Sequence, residues 1–137
     1  MHLIIDGNGS DPSILKDEKF IRNLLDTYPG KIGMTKISPP YITHYMQGKP
    51  DDWGVSGFVF IAESHISIHT FPKRQYVNID VFSCKEFDTQ RAMAQLKERF
   101  GLKTVRSWTL DRGLEYSDPA VALKEMQSDR SALVQRT

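Results

Sequence analysis

The side chains able to move protons or break bonds are concentrated in one run, Ala62-Glu63-Ser64-His65-Ile66-Ser67-Ile68-His69-Thr70-Phe71-Pro72. Gly54-Val55-Ser56-Gly57 precedes it and Asp80-Val81-Phe82-Ser83-Cys84 follows it. A serine hydroxyl can attack the carbonyl before it, here that of Glu63, and give an ester. Elimination across the serine Cα–Cβ bond then leaves dehydroalanine, which hydrolyses to a pyruvoyl group, an electrophile that no ordinary side chain provides. Histidine is a base available near neutrality, with an ordinary pKa of about 6.5. Cysteine, with an ordinary pKa of about 8.5, is mostly protonated there and can serve as an acid. Each type also has a plainer reading. Ser64 could make a local hydrogen bond at a strand end, and His69 could sit on the polar face of a strand. Ser56 could be a turn residue between Gly54 and Gly57, and Cys84 a small buried apolar group.

Taken together, Glu63-Ser64-His65, His69 and Cys84 at these distances resemble the prokaryotic S-adenosylmethionine decarboxylase proenzymes, which use a pyruvoyl group in place of pyridoxal phosphate. The resemblance is strongest from about Trp53 to Cys84 and is looser through the helices on either side. It implies a lyase that makes the aminopropyl donor for spermidine and other polyamines. Ser64 would be the pyruvoyl precursor and the site of Schiff-base formation with the substrate. His69 would accept the α-proton during processing, Ser56 would assist it, and Cys84 would reprotonate the product carbanion. Autocatalytic cleavage between Glu63 and Ser64 would divide a single 1–137 domain into a β chain, 1–63, and an α chain, 64–137. In the short enzymes that this chain resembles, two protomers build the site, so a homodimer of processed copies is implied, acting on a small-molecule substrate.

Position 73 departs from that family, whose members commonly carry a glutamate there for the ribose hydroxyls. Here it is Lys73, followed by Arg74, and a lysine cannot accept a hydrogen bond from a diol. Relatives that decarboxylate arginine or ornithine with the same electron sink have no ribose to bind, which makes them the alternative substrates. Tyr41, Tyr45 and Trp53 are the candidates for stacking on adenine. Two further readings are a processing-dead regulatory paralogue and a non-enzymatic binding module; the retention of Ser64, His69 and Cys84 argues against both.

The elements that must position these groups follow from local pattern. His2–Ile5 reads as a first strand and Asp6–Ser10 as a loop. Asp11-Pro12 opens a helix with Ile14, Phe20, Ile21, Leu24 and Leu25 on its apolar stripe, and Tyr28-Pro29-Gly30 stops it. Lys31–Met46 reads as extended, broken by Pro39-Pro40. Val55–Ala62 is almost continuously apolar, as in a buried strand. Ser64–Thr70 and Tyr76–Phe82 alternate with period two. Asp88 caps a helix whose buried face is Met93, Leu96 and Phe100 and which ends at Gly101. Thr104–Leu110 is a last strand, a short helix starts at Asp118-Pro119, and about 117–137 is a polar tail. Strands outnumber helices without alternating with them, which predicts an α+β sandwich: an antiparallel or mixed sheet with helices on one face. His65 and His69 are four apart, but in an alternating β context that is not a helical metal motif, so no metal is expected.

The bulk composition bounds the rest. With 18 Lys+Arg against 17 Asp+Glu, the net charge of +1 gives no reason to expect a nucleic acid or an anionic membrane as partner. No apolar run approaches the ~18 residues needed to span a bilayer. The Met-His-Leu-Ile-Ile-Asp start lacks signal-peptide character, and a single cysteine excludes an intramolecular disulfide. A cytoplasmic protein is expected.

Overall fold

The structure is a computed structural model that describes residues 1–112; the predicted 118–119 helix start and the 117–137 tail lie outside the described residues. Six strands form one antiparallel sheet in the order β2-β3-β4-β5-β1-β6. They are β1 (His2–Asn8), β2 (Tyr41–Tyr45), β3 (Gly54–Ile61), β4 (Ser64–Phe71), β5 (Tyr76–Ser83) and β6 (Thr104–Leu110). Helices α1 (Pro12–Lys16), α2 (Glu18–Lys31) and α3 (Thr89–Phe100) pack against it. The predicted α+β class holds.

Helix ends follow the capping residues. Asp11 accepts from the Ser13 N–H at 2.8 Å, and Asp17 accepts from the Phe20 N–H at 3.1 Å. The second cap is why the predicted single helix is two, with a break at Asp17. Asp88 caps α3 through the Arg91 N–H at 2.9 Å, and Gly101 ends it at φ 61°. Pro29 does not stop α2, which runs on to Lys31: the proline lacks only its own N–H, and its carbonyl still accepts from the Ile32 N–H at 3.2 Å and the Met34 N–H at 2.9 Å.

The core lies between the helices and one sheet face. Leu3 and Ile5 of β1, Val55, Val59 and Ile61 of β3, Ile66 and Ile68 of β4, and Val77, Ile79 and Val81 of β5 point into it. Leu24, Leu25, Leu96 and Phe100 meet them from the helices. Burial of each such side chain contributes about 1.5–3 kcal/mol. Val55–Ala62 therefore is not buried on both faces: Phe58 and Phe60 of β3 point to the other side, and Phe60 is 50% exposed. The predicted loop Asp6–Asn8 is also strand. Asp6 faces that same open side, where its carboxylate accepts from Asn78 Nδ2 at 2.8 Å.

Thr70 locks the far end of the β3–β4 pair. Its buried hydroxyl donates to the Leu15 carbonyl at 2.8 Å and accepts from the Val55 N–H at 2.9 Å. Gly54 lies so close that an added Cβ would meet the Thr70 carbonyl oxygen at 1.7 Å. Gly54→Ala should therefore cost about 3 kcal/mol through forced backbone movement, measured by chemical denaturation; an unchanged midpoint would contradict this packing.

Candidate active site

The β3–β4 hairpin sets the site. Its two-residue turn, Ala62-Glu63, fixes a register in which Ile61 faces Ser64 and Ser56 faces His69. Strand alternation then puts Ser56, His65, Ser67 and His69 on the open face, with a shallow cavity of about 440 Å³ among Tyr41, Phe58 and these groups. Ser56 Oγ and His69 Nδ1 are hydrogen-bonded at 2.9 Å, so the two predicted processing residues are partners.

Ser64 stands at the other end of β4. It has φ 149°, in the region that favours glycine, a conformation that costs a residue with a side chain on the order of 1–3 kcal/mol. The Glu63–Ser64 bond, the one expected to be cut, precedes this strained residue. Ser64 faces Ser83 on β5, which brings Cys84 alongside. The Cys84 N–H donates to the Glu63 carbonyl at 2.9 Å. That carbonyl is the one a Ser64 hydroxyl would attack, and a donor already rests on its oxygen. On sequence grounds Cys84 offers only its thiol; nothing in the pattern of types signals a role for its backbone.

Ser64 and His69 do not meet. They sit on one continuous strand, five residues or roughly 16 Å apart. The positive φ is confined to Ser64, and β4 continues unbroken from it to Phe71. His65 and His69 are likewise about 13 Å apart along the strand, too far to share a metal ion.

His65 lies in a row with Phe82 and His2, ring to ring with Phe82 at 5.6 Å. Burial there, with help from the nearby His2, lowers its pKa from 6.5. The imidazole on the strand next to the Glu63–Ser64 bond is thus shifted toward its neutral form.

Lys73 is set apart from this face. It lines a second cavity of about 500 Å³ with His44, Met46, Pro50 and Trp53. Its ammonium pairs with Asp51 at 2.8 Å, and Arg74 pairs with Asp52 at 2.7 Å. The two cations that depart from the family pattern are thus each matched by a carboxylate. The Lys73 contact in turn pulls the Asp51 carboxyl below its usual pKa. Of the candidate stacking rings, Tyr41 borders the open-face cavity and Trp53 the second cavity, while Tyr45 ends β2, about half exposed.

Among the described residues no helix is long and apolar enough to cross a membrane. Comparison with known proteins shows the family. Residues 1–113 match the family described as S-adenosylmethionine decarboxylase. The S-adenosylmethionine decarboxylase proenzyme of Pyrococcus furiosus is 33% identical over 118 residues, covering 85% of this chain and 81% of that protein. Its counterpart in Archaeoglobus fulgidus is 34% identical over 113 residues, covering 82% of this chain and 96% of that protein. The crystal structure of the adenosylmethionine decarboxylase from Aquifex aeolicus superposes with a TM-score of 0.70 at 28% identity, covering 85% of this chain and 92% of that one. With most of its length matched in sequence and in fold, this chain belongs to the S-adenosylmethionine decarboxylase family.

Proposed function

We propose that the chain is a proenzyme that cleaves itself between Glu63 and Ser64, carries a pyruvoyl group at position 64, and decarboxylates S-adenosylmethionine. The observation that carries this reading is the Glu63 carbonyl held on the Cys84 N–H beside a strained Ser64.

Ser64 Oγ adds to the Glu63 carbonyl carbon, and the oxyanion forms against the waiting Cys84 N–H. Collapse breaks the Glu63 C–Ser64 N bond. The hydroxyl proton ends on the freed amine, an ester joins the two residues, and the φ strain is released. A base then takes the Ser64 Cα proton; the electron pair forms Cα=Cβ and Oγ departs with the Glu63 carboxylate. Water hydrolyses the dehydroalanine and ammonia leaves. The products are a 1–63 piece and a 64–137 piece headed by the pyruvoyl group, and these residues fit that group.

The base is His69 of a second copy, because its own is ~16 Å away. When Nδ1–H is donated to Ser56 Oγ, Nε2 keeps its lone pair for the proton. Among the described residues no helix covers the open face, which exposes Tyr41 (60%), Phe60 (50%) and Trp108 (41%), an aromatic surface suited to a second copy. His69 lies exposed on it.

Once formed, the pyruvoyl group supplies the electron sink for the bond pair left by the departing carboxylate. Cys84, fixed beside position 64, holds the proton for the product carbon. Neutralisation of Lys73 and Arg74 by Asp51 and Asp52 removes the repulsion that a sulfonium substrate would otherwise meet. The test offers S-adenosylmethionine, arginine and ornithine separately and follows carbon dioxide release. Release from S-adenosylmethionine alone is expected, and release from arginine or ornithine alone would reassign the substrate. Cys84→Ala should still cleave, since its backbone N–H is intact, yet decarboxylate about 10²-fold or more slowly. Unchanged turnover would remove the thiol from the mechanism.

A further inference from the structure

We infer that the Glu63 side chain is a positioning residue for maturation: it clamps the acyl side of the scissile bond onto Thr35, and this inference rests on the proenzyme reading above. Both backbone polar groups of Thr35 are used by the two turn residues. The Thr35 carbonyl accepts from the Ala62 N–H at 2.8 Å, and the Thr35 N–H donates to Glu63 Oε2 at 3.1 Å. The neighbouring chain continues the attachment. Lys36 bridges Ile61, the Ile37 N–H donates to the Phe60 carbonyl at 3.1 Å, and Ser38 Oγ accepts from the Phe60 N–H at 3.1 Å.

The platform behind Thr35 is itself fixed. Lys36 is ion-paired to Asp26 of α2. Lys85 Nζ donates to the Gly33 carbonyl at 2.9 Å, and Ser83 Oγ meets Met34 Sδ at 3.5 Å. Ser83 and Lys85 flank the Cys84 whose N–H holds the Glu63 carbonyl. The attachment therefore closes on itself. Glu63 is gripped through its side chain by Thr35, through its carbonyl by Cys84, and through Ala62 by Thr35 again.

The physical consequence concerns the first covalent step. Attack forms the Ser64 Oγ–Glu63 C bond and breaks the Glu63 C–Ser64 N bond, which needs the carbonyl carbon held at a fixed approach to Oγ. A turn free to swing would relieve the Ser64 strain by rotation and carry the carbonyl off the Cys84 N–H. The clamp blocks that relaxation, so the strain is discharged through the acyl shift. A displacement on the order of 1 Å in such a geometry is enough to slow a reaction tenfold or more.

The experiment follows conversion of freshly translated full-length chain into two pieces. Glu63→Ala should cleave about tenfold more slowly than the parent. Glu63→Gln, whose amide oxygen can still accept from Thr35, should recover to within about threefold. Thr35→Pro deletes the N–H donor, and an unchanged unfolding midpoint shows that its ring is tolerated; it should slow cleavage by the same factor as Glu63→Ala, and combining the two should add nothing further. Cleavage of Glu63→Ala at the parental rate overturns the inference. So does a Glu63→Gln variant as slow as Glu63→Ala, or full additivity with Thr35→Pro. A loss of unfolding midpoint shared by Glu63→Ala and Glu63→Gln would assign the side chain to folding and also overturn it. If the parent chain itself never cleaves, it is the proenzyme reading that falls.

Discussion

Ser64→Ala should remain one 15.7 kDa chain and release no carbon dioxide from S-adenosylmethionine. The methyl group cannot attack the Glu63 carbonyl, so no ester forms and no electrophile appears at position 64. Without an electron sink the reaction falls back toward its uncatalysed rate, and enzymes typically exceed such rates by 10⁶-fold or more. The loss is therefore expected to be complete in an ordinary assay. Alanine keeps a Cβ at φ 149° and so should leave stability near that of the parent. Ser64→Gly, equally unable to cleave, should be more stable by about 1–3 kcal/mol, because glycine adopts that conformation without strain. The pair separates chemistry from folding. A Ser64→Ala variant that still divides in two, or that decarboxylates, would place the chemistry elsewhere.

His69→Ala and Ser64→Ala should each be inert alone and should rescue one another when co-expressed. The argument is distance. Along β4, five residues of extended chain separate Ser64 from His69 by roughly 16 Å, and a proton transfer needs contact. In a mixed dimer, the His69→Ala copy contributes an intact Ser64 and the Ser64→Ala copy an intact His69 with its Ser56 partner. One complete site results, and the His69→Ala chain should be cut. The readout is a gel on which the two variants are distinguished by a tag. A co-expressed pair that stays uncut would show that the site is built within one chain, and normal cleavage of His69→Ala alone would exclude it as the base.

Much of the scaffold was legible because local signals decided it. Asp88 and Gly101 bound α3, and the period-two alternation of Ser64–Thr70 and Tyr76–Phe82 marks β4 and β5. Misreadings occurred where the second sheet face mattered. Asp6-Gly7-Asn8 looks like a loop because its polar residues meet Asn78 and solvent across the sheet and not the core. Phe58 and Phe60 made β3 look buried on both faces because apolar rings there serve the open surface. At the site, it was the resemblance of the Glu63-Ser64-His65, His69 and Cys84 run to a known family that singled out Ser64, His69 and Cys84. The Ser56–His69 contact depends on the hairpin register, which a two-residue turn fixes only once β3 and β4 are known to pair. The Thr35–Glu63 contact spans 28 residues and leaves no local trace. Nor could spacing reveal that a backbone N–H, and not only the thiol, is what Cys84 brings to position 64.

The most direct test of the account is the mass of the denatured protein from a preparation that decarboxylates S-adenosylmethionine. Two pieces are expected. One ends with a free carboxylate at Glu63; the other begins at position 64, lighter by one ammonia than a serine-headed piece and reactive toward carbonyl reagents. An active preparation consisting of one intact chain, with ordinary serine at 64 joined to Glu63, would contradict it.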